Sequence, residues 1–108
     1  MSAQYVSSVT TSRNNAYQEI DVLDGVTSDW YIFPHDTRHV GVDLDPSGTA
    51  KIQTSNDITK MEAGTDTGID WNLGAVTSKA GDTSIGVRGF RVVSISGAAR
   101  AVLNAVFS

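Results

Sequence analysis

The sequence predicts an all-β fold, an antiparallel β-sandwich or jelly roll of about seven or eight short strands entered through an N-terminal arm. Three observations carry this. Val, Ile and Thr number about thirty, against about eleven for Leu, Met, Glu and Lys together, and that ratio suits pleated surfaces rather than helices. Ten glycines, with clusters of Asp, Asn and Ser, place turn signals at short intervals along the 108 residues. No stretch of helical period is long enough to serve as a crossover, which argues against a βαβ fold.

Taken in order, residues 1–15 are polar and Ser/Thr-rich around Val6 and Val9, and read as a flexible arm; residues 16–108 read as a single β-sandwich domain. The first ordered segment is Tyr17–Val26, where Tyr17, Glu19 and Asp21 alternate against Gln18, Ile20 and Val22. Trp30-Tyr31-Ile32-Phe33 follows and is stopped by Pro34. It sends Trp30 and Ile32 to one side and Tyr31 and Phe33 to the other. If one side is core, the other is sheet packing or an exposed patch.

His39–Leu44 puts Val40, Val42 and Leu44 on one face. Asp45-Pro46-Ser47-Gly48 has the residues of a type I turn, and Thr49–Thr54 returns with Ala50 and Ile52 inward, so the segment reads as a hairpin. Ser55–Asp70 is polar and aperiodic, a long loop with one helical turn around Asp57–Met61, and Trp71 anchors its end. A strand near Leu73–Thr77 and another around Thr83–Val87 precede the last pair. There, a β-branched run to Ser96 and a terminal run Ala101–Phe107 flank a Ser-Gly-Ala-Ala turn, the pattern of a strand-turn-strand unit closing the domain.

Composition bounds the function. The net charge is −4, and the eight Lys and Arg are spread along the chain with no basic run, so nucleic acid is not an expected partner. There is no cysteine, which removes disulfides, thiol nucleophiles and cysteine metal sites. No apolar run approaches the roughly 18 residues of a membrane span, and Met1–Tyr5 has no signal-peptide character, so synthesis in the cytoplasm is expected.

Several fragments invite a catalytic reading. Asp66-Thr67-Gly68 is the tripeptide that holds the aspartate of aspartic proteases. That chemistry needs the aspartate after an apolar strand, so that two carboxylates share a proton in a dry dyad. Here Met61-Glu-Ala-Gly-Thr65 precedes it, and a turn is the better reading. His35, Asp36 and His39 could form a metal constellation, but they follow a proline and enter a strand, where a solvated turn explains them. Asp43 and Asp45 flank Leu44 at a turn, a weak calcium signal. Gly86-Val-Arg-Gly89 lacks the strand and helix of a phosphate loop. The expectation is therefore no catalytic residue, no metal, no cofactor and no enzyme.

The order Trp71, Gly74, Val76, then Arg88, Phe90-Arg91-Val-Val93, Ser96-Gly97-Ala98 and a hydrophobic terminal strand resembles small virion proteins of tailed bacteriophages. The likeness extends upstream through Val42-Asp-Leu44 and Ala50–Asp57, and His35–His39 departs from it. The resemblance implies a non-enzymatic cement or decoration protein on the outer capsid surface. Its partners would be the major coat protein and itself, as dimer or trimer, with neither nucleic acid nor membrane. Interaction candidates are Val6, Val9 and Arg13 of the arm, the aromatics Trp30, Tyr31 and Phe33, Met61 in the loop, and Arg88 and Arg91 on the penultimate strand. The rival is a phage tail or receptor module binding carbohydrate, with Trp30, Tyr31, His35 and His39 as its surface beside Asp29 and Asp36.

Overall fold

Alternating burial along the chain builds the observed architecture. The computed structural model describes residues 3–6, 9–10, 15–33, 37–71, 73–84 and 86–107. The strands are β1 (Gln4–Tyr5), β2 (Val9–Thr10), β3 (Asn15–Val22), β4 (Tyr31–Ile32), β5 (Thr37–Pro46), β6 (Thr49–Ser55), β7 (Ile69–Asp70), β8 (Ala80–Ser84), β9 (Gly89–Ser96) and β10 (Ala99–Phe107). One helix, α1 (Ile58–Ala63), interrupts them. They form two five-stranded sheets, ordered β1-β4-β9-β6-β7 and β2-β3-β10-β5-β8. The expected all-β jelly roll is what the chain adopts.

The inner faces follow the predicted alternation. Ile20 and Val22 of β3, Val40, Val42 and Leu44 of β5, and Ala50 and Ile52 of β6 point into one buried cluster. Phe33, Phe90, Val92 and Trp71 complete it, with Ala99, Ala101, Leu103 and Ala105 supplied by β10. Phe90 is its hub. The ring of Phe33 meets it edge-on at 5.9 Å between centroids and that of Trp71 at 5.4 Å, the geometry the ring quadrupole favours. Trp71 thus anchors the end of the long loop.

Neither expected hairpin is one. β5 pairs with β10 and β8, whereas β6 pairs with β9 and β7, so Ser47–Gly48 carries the chain from one sheet to the other. β9 and β10 are divided in the same way. Both departures have a single cause. Residues 37–55 and 89–107 form one long antiparallel ribbon, with Pro46 opposite Ala99 before the bend and Thr49 opposite Ser96 after it. A register irregularity at Thr49/Ala50 lies at the bend, a usual device for a strand that changes sheets.

The remaining chain follows this ribbon on both sides. β3 pairs with β10, Thr27 bridges Val93, and β4 pairs with β9. On the other side β8 pairs with β5, Val76 bridges Ala50, and β7 pairs with β6. The strand expected over Leu73–Thr77 is reduced to that single bridge, and the one expected over Thr83–Val87 lies earlier, as β8. Within the expected arm, β1 runs parallel to β4 and β2 antiparallel to β3.

The bends are locked to one another. Ser47 donates from its N–H (2.8 Å) and its hydroxyl (2.9 Å) to the carbonyl of Ala98. Gly97 takes φ +75° beside Gly48, and its N–H donates to Asp24 Oδ1 at 2.7 Å.

Candidate functional surface

Among the residues nominated as an interaction surface, Val6, Trp30, Phe33 and Met61 are interior, and Tyr31, Arg88 and Arg91 are half-buried. α1 is part of the reason. Asp57 caps it by accepting the Lys60 N–H at 3.1 Å, and Gly64 closes it at φ 74°. The helix turns Met61 inward, where Met61, Trp30 and Ile32 form a second buried cluster. Gly89 permits this approach, because a Cβ there would lie 2.4 Å from Met61 Sδ. Phe33 is buried in the main core and Tyr31 is half-buried against it. The Tyr31 phenol is pushed above its ordinary range, first by burial and then by Asp29 and Asp21. The Trp30 and Ile32 side of this segment is therefore covered by α1, and on the other side Phe33 is core while Tyr31 stays half-buried.

Val6 is buried, its N–H bonded to the Ile32 carbonyl at 2.8 Å. The Val9 backbone pairs with Ala16. Arg13 lies outside the described residues. Arg91 places its guanidinium 4.6 Å from the Trp30 ring centroid, donates from Nε to Gln53 Oε1 at 2.7 Å, and reaches the Thr67 carbonyl at 3.1 Å. Partial burial draws its pKa down. Trp30 Nε1 makes no hydrogen bond among the described residues, so ring contacts hold this indole. Arg88 donates to the Phe33 carbonyl at 3.2 Å. Both arginines thus make contacts within the chain.

The catalytic-looking fragments resolve into local structure. The Asp66 carboxylate accepts from the Ser55 hydroxyl and, at 2.7 Å, from the Gly68 N–H, which makes Asp66-Thr67-Gly68 an Asx turn. His39 is exposed on β5; His35 and Asp36 lie outside the described residues. Asp43 and Asp45 are exposed on the outer face of β5. Among the described residues no group of three His, Cys, Asp or Glu side chains could hold a metal. The side chains between the sheets are almost all aliphatic or aromatic.

The groups available for recognition are therefore on the outside, and two places stand out. At the bends, Leu23 (75% exposed), Ile95 (52%) and Val26 (43%) project into solvent. Beside them is a depression walled by Val22, Pro46, Ala98 and Ala99, with Asp21 and Asp45 at its rim. Arg100 is held there by Glu19 at 2.7 Å and Asp21 at 3.2 Å. The Tyr17 hydroxyl and then Arg100 hold the Glu19 carboxyl below its usual range. On the outer face of the same sheet, a polar groove runs over Gly41 and Gly81, flanked by Asp43, Thr83 and Asn104.

The sequence reading missed Leu23, Val26 and Ile95. A signal was present: Leu23-Asp24-Gly25-Val26 brackets a turn with two large apolar residues, where turn flanks are commonly polar.

No protein-family model matches this sequence, and comparison with curated proteins gives no match. Solved structures do resemble the fold. A cupin superfamily protein from Desulfitobacterium hafniense superposes with TM-score 0.50 at 12% identity, over 93% of this chain and 72% of its own. An RmlC-like cupin family protein with a double-stranded β-helix fold, from Methanocaldococcus jannaschii, gives TM-score 0.55 at 6% identity over 98% and 82%. An oxalate oxidase gives 0.53 at 14% identity over 87% of this chain, which spans 46% of the oxidase's length. These likenesses establish the double-stranded β-helix architecture. They also correct the expectation that the chain is no enzyme: that expectation leaned on the lack of a recognisable catalytic motif and on the phage resemblance, and an oxidase has this same fold.

Proposed function

We propose that the chain is a tailed-bacteriophage capsid decoration protein, which binds the outer coat shell and bridges neighbouring coat subunits. The reading rests on the residue pattern of Trp71–Phe107 and on where recognition groups lie, and it draws nothing from the cupin likenesses. The observation that carries it is the locked bend. Four antiparallel runs turn together from one sheet to the other, their inner faces are filled, and large apolar side chains stand exposed at the turn. A rigid body with exposed apolar side chains on a pinned corner suits a part that clamps onto a preformed lattice. Repetition over many sites gives avidity without strong single contacts.

The test is cosedimentation of the purified protein with coat shells lacking it. Saturation at a fixed ratio to coat subunits, in the hundreds per shell, supports the reading; no binding, or binding to one vertex only, refutes it.

A tail or receptor module binding carbohydrate is favoured by a different feature, the polar groove. Gly41 and Gly81 clear its floor, and the exposed Asp43 carboxylate and Asn104 amide line it. Tyr17 lies opposite Asn104 on the same sheet face. Trp30, buried, and Tyr31, half-buried, play no part in it. Glycan-array binding lost in Asp43→Asn would favour this reading over decoration.

A further inference from the structure

Leu23 and Val26 open and close one tight turn, in which the Val26 N–H donates to the Leu23 carbonyl at 3.1 Å. That turn is fastened to the end of β9. Gly25 N–H donates to Ser94 Oγ at 3.0 Å, Ser94 N–H to the Val26 carbonyl at 3.0 Å, and Gly97 N–H to Asp24 Oδ1 at 2.7 Å. Ile95, next to Ser94, is thereby held at the same end of the molecule as Leu23 and Val26. Three of the seven large hydrophobic residues exposed among the described residues therefore sit on one pinned corner, Tyr5, Tyr17, Ile69 and Val106 being the others. A patch whose backbone is already fixed loses little entropy on binding.

The charge around the patch decides what fits it. Asp21 and Asp45 line the adjoining depression, and Asp24 stands between Leu23 and Val26 in the turn. Arg100, the cation in that depression, is already engaged by Glu19 and Asp21. A second copy docked patch to patch would bring two sets of carboxylates together, which costs affinity. A segment with a branched apolar anchor between lysines or arginines satisfies both features.

We infer that this corner is the docking surface for a coat-subunit segment of that chemistry, an apolar anchor flanked by basic residues. The inference rests on the decoration reading and names the face that reading uses.

Two arms test it. In the first, the ¹⁵N-labelled full chain is titrated with a short synthetic peptide holding a Leu-Ile pair between lysine pairs. Controls replace the lysines by glutamates or the Leu-Ile pair by serines. Saturable amide shifts confined to residues 21–26, 45–48 and 94–100 are expected. Binding should be at least tenfold weaker for either control, weakened by salt, and absent in the double variant Leu23→Asp, Ile95→Asp. Shifts elsewhere, or an equal response to the glutamate peptide, overturn the inference. So does concentration-dependent dimerisation abolished by Leu23→Asp, which would give the patch to a second copy.

In the second arm, coat shells replace the peptide. Wild-type binding with at least a tenfold loss in the double variant supports the inference. Unchanged binding by the double variant overturns it and leaves the decoration reading standing. Failure of the wild type to bind removes the decoration reading and, with it, the coat partner.

Discussion

Replacing Gly97 by alanine probes the lock that lets two sheets share one ribbon. Two effects act there. The residue sits at φ +75°, a conformation that costs a non-glycine residue about 1–2 kcal/mol. A Cβ would also lie 2.7 Å from Ser47 Oγ and 2.8 Å from Gly48 N. The hydroxyl can rotate away. The Gly48 nitrogen is backbone, so the Ser47–Gly48 bend must shift, and the two Ser47 bonds to the Ala98 carbonyl weaken. Losing one such bond costs about 1 kcal/mol. The sum is about 2–4 kcal/mol, a large part of the roughly 5–15 kcal/mol that holds a domain together. Gly74→Ala is the matched control: its φ is +67° but nothing lies within 4 Å of the added carbon, so it carries the strain alone, about 1–2 kcal/mol. The assay is urea unfolding followed by tryptophan fluorescence. With a slope of about 1–3 kcal/mol per molar urea, Gly97→Ala should lower the midpoint by on the order of 1 M more than Gly74→Ala does. Equal midpoints for the two variants would refute the idea that the bends are locked by mutual contact.

Three further outcomes are expected. Phe90→Ala removes the hub shared by Phe33 and Trp71 and should cost about 3–5 kcal/mol in the same assay; a loss under about 1 kcal/mol would mean the core closes over the gap. Asp57→Ala removes the α1 cap and should cost about 1 kcal/mol, with amide exchange rising in residues 58–63 and the β10 amides unchanged. Acid should weaken the fold through Glu19 and Asp70, whose pKa values lie below their ordinary 4.5 and 3.8: Tyr17 and Arg100 stabilise the Glu19 carboxylate, Gln53 and Lys51 that of Asp70. A depressed folded pKa gives stability that is full above the unfolded value and lost as pH falls through the folded one. The urea midpoint should therefore decline below about pH 4.5, and Arg100→Gln should flatten that decline; an unchanged acid limb in the variant would contradict the assignment.

Much of the fold was legible locally. The alternation of Ile20 and Val22, and of Val40, Val42 and Leu44, marked the faces that became the core, because a strand with one buried face writes its period into the sequence. The pairing was not legible. Asp45-Pro46-Ser47-Gly48 signals a change of direction, and the same residues serve a hairpin or a corner between sheets. What selects the corner is Ala98 and Gly97, some fifty positions away, accepting from Ser47 and making room for Gly48. Burial of Trp30 and Met61 likewise depended on α1 folding over the outer face, a contact that no spacing within Trp30–Phe33 encodes. The exposed corner was overlooked for a different reason. Leu23 and Ile95 have the composition of core residues, although the period of their strands already points them outward, after Glu19 and Asp21 in β3 and after Arg91 and Val93 in β9.

The most direct test of the decoration proposal is mechanical. Coat shells filled with DNA are heated with and without the purified protein, and the temperature of DNA release is read from an intercalating dye. A bridge between neighbouring subunits predicts a higher release temperature that rises with occupancy and saturates when the shell does, the wild type raising it and Leu23→Asp, Ile95→Asp failing to. Release at the same temperature from saturated and bare shells would show that the protein, even if bound, cements nothing.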